Sequence, residues 1–289
     1  MSSQEWRVDP DRIRVKNEIK RLFDLNVRNR SPEVPTGKHQ HDGYEGHWLQ
    51  EQFGLVADNK NAPDFDGFEL KDATTSKTTF GDWTADQYAF FSHQRCRDIP
   101  EKAFSCPKCA LSVVSRHDFF QIFGTPNPSK GNRHSWSGSV FPKVGDVNKY
   151  GQVMTVDDKG NVAAIYRYEF DQRADKSKIV PESLRQGEII LASWKATSLS
   201  SRLERKFKKH GWFKCIQENK GHGKYIAIQF GGPIEFQDWI ALVREGIVFL
   251  DSGMYDGNNR PYSNWRADNR VWDRLVEETY PSIANSNKP

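Results

Sequence analysis

A mixed sheet flanked by helices, of the α/β or α+β class, is predicted by three features of this 289-residue sequence. Apolar, β-branched runs such as "NVAAIYRYEF", "EIILASWKA", "WFKCIQEN" and "KYIAIQFGG" read as strands. Stretches with a 3.6-residue apolar period, "DPDRIRVKNEIKRLFDLN" and "EFQDWIALVREG", read as helices. The two kinds of segment are intermixed along the chain. At this length the chain can bury a sizeable core as one large domain or two lobes. The 28% charged and 36% hydrophobic content argues against wholesale disorder. No run reaches the roughly 18 to 20 apolar residues of a membrane span, and the start "MSSQEWRVDPDRIRVK" has no signal-peptide core. The expectation is a soluble, cytoplasmic protein with no membrane partner.

Taken in order, the first helix has Asp9 as its N-cap and Pro10 at its first position, with Val15, Ile19, Leu22 and Phe23 at helical spacing. A polar linker, "NRSPEVPTGKHQHDG", leads to "YEGHWLQEQFGL", where Trp48, Leu49 and Phe53 share a helical face and Gly54 is the stop. "DGFELKDA" reads as a short strand that points Phe68 and Leu70 into the core and leaves Glu69 and Lys71 on an open face. Residues 75–92 read as further strand, or strand and helix. "SRHDFFQIFG" is expected to be a helix ending at Gly124, and "NPSKGNRHSWSG" a loop. A catalytic lobe over 1–195 and a recognition lobe over 196–289 are the expected division.

The chemistry starts with "PDFDGFELK". Asp64, four residues, Glu69, one residue, Lys71 supplies two carboxylates that can hold a hard divalent ion such as Mg²⁺. Lysine two residues beyond Glu69 falls on the same strand face, where it can orient water or stabilise developing charge. A surface strand carrying an ordinary ion pair matches the same pattern.

A second metal is suggested by "SHQRCRDIPEKAFSCPKC". His93, Cys96, Cys106 and Cys109 are spaced as H-x2-C-x9-C-x2-C, the ligand set of a tetrahedral Zn²⁺ knuckle inserted at about residues 90–112. Four filled positions make such a site structural, and unligated cysteines in a loop are the plainer reading. Cys215, in an expected strand, reads as a buried thiol.

Net charge is only +4, yet six Lys or Arg face one Glu in "SSRLERKFKKHGWFK", and arginines alternate with aromatics in "NNRPYSNWRADNRVWDR". Basic residues mixed with aromatics suit phosphate and base contact; a solvated helix face followed by surface packing suits the same letters.

"PDFDGFELK" resembles the catalytic strand of the PD-(D/E)XK nucleases, and more narrowly of the MvaI- and BcnI-type restriction endonucleases and the related MutH mismatch-repair nickase. "GHWLQEQFGL" resembles the helix before that strand, "NRHSWSGSVFP" a loop of the family, and "VFLDSGMYDGNNRPYSNWRA" the C-terminal segment that reads DNA. The resemblance implies a type II restriction endonuclease that hydrolyses double-stranded DNA with Mg²⁺ on Asp64 and Glu69 and with Lys71 as the catalytic lysine. It implies a monomer cutting one strand at a time, with a cognate DNA methyltransferase as genetic partner. One position departs from the pattern: the family helix carries a glutamate four residues before its closing glycine, where this sequence has Gln50. An amide brings no negative charge, so a nuclease-dead, zinc-stabilised DNA-binding protein stands as an alternative, beside a MutH-like nickase.

For such an enzyme Arg260 and Arg266 are the preferred base readers, because a guanidinium can grip guanine O6 and N7 together. Tyr262, Ser263 and Asn264 would add polar contacts, and Arg133, His134 and Trp136 would reach the duplex from the middle segment; Trp136 and Trp265 equally suit packing. Lys206, Lys208 and Lys209 are expected to meet phosphate or solvent.

Overall fold

The computed structural model describes residues 9–32, 44–55, 61–71, 76–90, 106, 110–219 and 222–282. The strands are β1 Phe68–Lys71, β2 Lys77–Asp82, β3 Gln87–Tyr88, β4 Thr125–Asn127, β5 Arg133–Trp136, β6 Tyr150–Val156 and β7 Val162–Asp171, followed by β8 Glu188–Trp194, β9 Gly211–Asn219, β10 His222–Gly231, β11 Val248–Asp251, β12 Met254–Tyr255, β13 Asn264–Asp268 and β14 Val276–Tyr280. The α-helices are α1 Pro10–Leu22, α2 Tyr44–Gln52, α3 Arg116–Phe123, α4 Lys176–Ile179, α5 Ala196–Phe207, α6 Phe236–Arg244 and α7 Asn269–Arg274. Among the described residues no helix is long and apolar enough to cross a membrane.

The chain divides into two compact units, each drawn from separated segments. The first comprises Met1–Thr79, Arg202–Phe236 and Ala267–Pro289; the second comprises Phe80–Ser201 and Gln237–Arg266. This corrects the single boundary expected near residue 195. The sheet of the first unit joins a strand from the first third of the chain to strands from its last third, so no one cut can separate the units.

That sheet has the order β1-β9-β10-β14. β1 runs parallel to β9, with Glu69 opposite Trp212 and Lys71 opposite Lys214, while β10 is antiparallel to both β9 and β14. Side chains alternate along β1. Phe68 and Leu70 enter an apolar cluster with Val15, Ile19 and Phe23 from α1 and the turn after it, Leu49 from α2 and Phe53 just beyond it, and Phe213, Cys215, Ile228 and Phe230 from the sheet. Asp9 caps α1 by accepting from the Asp11 amide, and Pro10 occupies the first turn, where its missing N–H is harmless. Gly54, at φ +71°, ends the α2 segment in the left-handed region.

On the opposite face, Glu69 and Lys71 are not open to water. They are 2% and 6% exposed: the rings of Phe207 and Trp272 lie beside Lys71, with its Nζ 5.1 Å from the first centroid and 6.0 Å from the second, and Lys206 reaches Glu69. The end of α5 and the α7 helix cover the face that the alternation alone left bare.

A tight turn brings Asp64 to this face. Phe65 and Phe68 exchange backbone hydrogen bonds of 2.9 and 2.8 Å across Asp66 and Gly67. Both tip residues have positive φ, +41° and +98°, the backbone twist that suits Asp-Gly in two-residue hairpins. Pairing 65 with 68 turns the chain back, so that Asp64 meets β1 at the Leu70 amide. The turn is held from outside as well: Asp66 accepts from Arg14 Nη2 at 2.8 Å and Lys209 Nζ at 3.5 Å, and the His210 amide donates to the Gly67 carbonyl at 3.0 Å.

The second unit contains an antiparallel sheet of order β3-β8-β7-β6 and a smaller one of order β12-β5-β4. The segment expected to be a loop therefore holds a strand pair, β4 with β5, turned at Gly131 with φ +65°. Its interior is aromatic. Trp83, Trp239, Trp265 and Trp194 meet edge to face in series at 5.4, 5.3 and 5.5 Å.

Gly67 is the most constrained point of the Asp64 turn, since a Cβ there would lie 2.5 Å from both His210 Cδ2 and Lys209 Cδ. Gly67→Ala is predicted to destabilise the protein by roughly 1 to 3 kcal/mol through strain at positive φ. Urea denaturation measures it, and an unchanged midpoint would show the turn to be unconstrained.

Candidate active site

The hairpin geometry places Asp64 beside the strand that carries Glu69 and Lys71. Asp64 Oδ2 accepts from the Leu70 amide at 3.0 Å, which fixes that carboxylate against the strand backbone. Glu69 Oε1 accepts from Lys71 Nζ at 2.9 Å. Lys71 Nζ is held further by the Thr79 carbonyl at 2.9 Å. Asp64, Glu69 and Lys71 thus share one small volume, as their spacing led one to expect.

Lys206 joins them. From the last turn of α5 its Nζ reaches Glu69 Oε1 at 2.6 Å, and its side chain is 17% exposed. This corrects its assignment to phosphate or solvent: helical spacing did not reveal that this residue faces the acidic pair. With two lysines on Oε1, Glu69 Oε2 is buried and has no hydrogen-bond partner among the described residues.

Burial dominates the electrostatics. It pushes the Asp64 carboxyl up to about 6, and the neighbouring Glu69 charge adds to the rise, while Lys71, Lys206 and the Leu70 amide oppose it. Burial likewise pushes the Lys71 ammonium down to about 8 against the pull of Glu69. Among the described residues nothing donates to the buried Glu69 Oε2, and the carboxylate near it ionises less readily than an exposed one. That donor set fits a hard, oxygen-seeking cation.

Gln50 is half-buried on α2, and Leu49 of that helix and Phe53 just after it pack with Phe68 and Leu70. Among the described residues its side chain makes no hydrogen bond to Asp64 or Glu69. The zinc expectation falls mainly elsewhere. His93, Cys96 and Cys109 lie outside the described residues, Cys106 is half-buried, and no group of three or more metal-ligating side chains occurs among the described residues.

All the expected DNA-reading residues belong to the second unit. Arg260 is 67% exposed and donates to Asp82 Oδ2 at 2.7 Å. Arg266, on β13, donates to Asp251 Oδ2 at 3.1 Å. Arg133 lies with its guanidinium 3.6 Å from the centroid of the Tyr255 ring, a stacked cation–π arrangement. His134 is partly exposed, with Nδ1 3.3 Å from the Phe120 carbonyl oxygen; Tyr262 and Asn264 are also partly exposed.

Trp136 and Ser263 do not fit a reading role. Trp136 is fully buried, its Nε1 donating to Gln152 Oε1 at 2.8 Å. Ser263 is fully buried too, with its amide donating to Asp82 Oδ1 at 2.7 Å. Both shape the segments that bear the arginines, and neither presents a side chain to a ligand. Trp265 is buried in the tryptophan series. The residue that sequence reasoning missed here is Asp82, which joins Arg260 to the Ser263 backbone; an acidic residue ending a strand carries no signal of that role.

Comparison with known proteins agrees with the geometry. Over residues 31–280 the chain matches the family model described as LlaMI restriction endonuclease. It is 39% identical over 276 residues to the type II restriction enzyme ScrFI of Lactococcus lactis subsp. cremoris, covering 92% of this chain and 98% of that one. Its fold is similar to that of restriction endonuclease MvaI in a cognate DNA substrate complex, with TM-score 0.52 and 13% identity, over 94% of this chain and 98% of the other. The chain belongs to the LlaMI restriction endonuclease family, and so to the sequence-specific restriction endonucleases.

Proposed function

We propose that this restriction endonuclease is a type II enzyme that hydrolyses phosphodiester bonds of double-stranded DNA at a short specific sequence, with Mg²⁺ on Asp64 and Glu69. The observation that carries this reading is the buried Glu69 Oε2, to which no described residue donates, on a carboxylate close enough for its charge to raise the Asp64 carboxyl. When bound, the ion supplies Lewis acidity at the phosphate and a more acidic water. Asp64 and Glu69 hold it. Lys71, fixed by the Thr79 carbonyl and two aromatic rings, orients the attacking water and balances charge that develops on the phosphate. Gln50 is the weak member of the group, since its amide adds a ligand oxygen without charge.

The two units divide the work in this reading: the first cuts and the second reads sequence. Arg260, Arg266 and Arg133 are the base readers, with His134, Tyr262 and Asn264 as polar contacts. Asp82 and Asp251 hold the first two arginines in register until guanine edges take over the guanidinium donors. The enzyme works as a cytoplasmic monomer beside a cognate methyltransferase. His93, Cys96, Cys106 and Cys109 hold a structural zinc that closes the segment before α3. Gln50 favours a second reading, a DNA-binding protein with a degenerate nuclease site.

The purified chain with Mg²⁺ and no partner protein is expected to cut plasmid DNA into discrete fragments, which a partner-dependent nickase would not do. Lys71→Ala is expected to lose at least about 100-fold in rate, within the range of general acid–base contributions, while binding the duplex normally. Undiminished turnover would remove Lys71 from the mechanism. If neither the chain nor its Gln50→Glu variant cuts although both bind, the binding-protein reading prevails. Cleavage by the variant alone would mark Gln50 as the inactivating residue.

Asp64 also predicts a pH-dependent stability. Its carboxyl is raised from 3.8 to about 6, so the native state binds this proton more tightly than the unfolded chain. Stability from this group is therefore highest below about pH 4, falls as pH rises through 6, and stays low above. Asp64→Asn should stabilise the metal-free protein at pH 7.5 by about 1 to 3 kcal/mol, the upper figure being about two pK units at 1.36 kcal/mol each. The gain should vanish at pH 4. Paired urea titrations at the two pH values test the sign, and an equal effect at both would contradict it.

Elemental analysis should find about one Zn per chain, lost in Cys106→Ser together with thermal stability. Zinc-free protein with an unchanged melting temperature would contradict the knuckle.

A further inference from the structure

Lys206 is not accounted for by the proposed chemistry. Its Nζ lies 2.6 Å from Glu69 Oε1, the oxygen that already accepts from Lys71 at 2.9 Å. Two ammonium groups therefore share one carboxylate oxygen. With Asp64 ionised, two positive and two negative side chains leave the cluster formally neutral.

The two lysines differ in how they are held. Lys71 is 7% exposed at its side chain, bonded to the Thr79 carbonyl and set against Phe207 and Trp272. Lys206 is 17% exposed, stands in the last turn of α5, and has Glu69 as its hydrogen-bonding partner. An ammonium on a four-carbon stem is a movable point charge. Lys206 can leave toward solvent or an arriving phosphate without uncovering the core; Lys71 cannot.

We propose that Lys206 is a built-in counter-cation for Glu69 that competes with a divalent ion, so that the protein holds metal weakly until a phosphate group draws the ammonium away. The inference rests on Asp64 and Glu69 being the metal ligands. Lys206 is a positioning residue: it acts through the charge on Glu69 and makes metal loading depend on a polyanion. Its removal leaves the cluster one negative charge richer, which strengthens attraction for a dication. The same removal takes away a phosphate partner, so metal binding and DNA cleavage should respond in opposite directions.

The test is a calorimetric titration of the full chain with Mn²⁺ alone, without DNA, on the native protein and on Lys206→Met, Lys206→Gln, Lys206→Arg and Asp64→Asn. Thermal melts verify folding in each. Both neutral variants should bind Mn²⁺ at least about tenfold more tightly than the native chain, and Lys206→Arg should stay within about threefold of it. Lys206→Gln keeps a hydrogen-bond donor to Glu69, so it covers the case in which Lys206→Met fails to fold. Native affinity in the folded neutral variants would overturn the competition. If Asp64→Asn binds Mn²⁺ as the native chain does, or if none of the proteins binds it, the metal-site reading itself fails.

Discussion

A carboxylate that is almost wholly removed from water is the constraint on which the first unit depends. Glu69 is 2% exposed, and an unpaired charge there would cost several kcal/mol. Its Oε1 is compensated by Lys71 from the same strand and by Lys206 from α5. That need explains the arrangement around it. α5 must end where Lys206 reaches the strand, Phe207 must turn its ring to Lys71, and the Thr79 carbonyl must stand beside the same ammonium. The sheet edge at β1 is thus tied to neighbours through charge on one face and through Phe68 and Leu70 on the other.

The turn at Asp66 and Gly67 supplies the second carboxylate by covalent necessity. The bridge between Phe65 and Phe68 closes a two-residue reversal that turns the chain back, so that Asp64 meets β1 at the Leu70 amide. A longer loop would leave Asp64 free to move, and its bond to the Leu70 amide would then oppose more chain entropy. Arg14, Lys209 and the His210 amide grip the turn from the solvent side. Exposed ion pairs of this kind contribute little each, so the backbone geometry of Asp66 and Gly67 carries most of the constraint.

Much of this was legible in the sequence, and the failures have physical causes. Strand alternation placed Glu69 and Lys71 on one face, and helical period placed Leu49 and Phe53 in the core. The Phe-Asp-Gly-Phe stretch carried the hairpin signal too, but an assignment to a single strand overlooked it. Periodicity describes an element by itself and not what lies against it, so it could not show that α5 and α7 cover the charged face, or that Lys206 is a partner of Glu69 while Lys208 pairs with Glu204 along the helix. Composition left Trp136 open between packing and DNA contact and did not show that Ser263 is buried, because polar and aromatic residues in a segment of mixed composition suit both a surface and a packed interior. The division into units was hidden for a related reason: strand pairing ignores chain order, and composition does not shift at residues 79, 201, 236 or 266.

A fold built only for stability would not keep this cluster. A structural ion pair would satisfy both oxygens of Glu69, yet among the described residues Oε2 has no donor. It would also avoid a neighbouring carboxyl that burial and like charge push up to about 6. Each of these features destabilises the folded chain, and together they leave a buried carboxylate oxygen to which no described residue donates. Replacing Asp64 by a neutral isostere would relieve part of that strain with no change of shape. Under the proposed reading Asp64 serves what binds there and not what folds there, the pattern of functional sites that trade stability for activity. The movable lysine fits the same economy: it neutralises Glu69 enough for the chain to fold, and it can withdraw without disturbing the aromatic cover over Lys71.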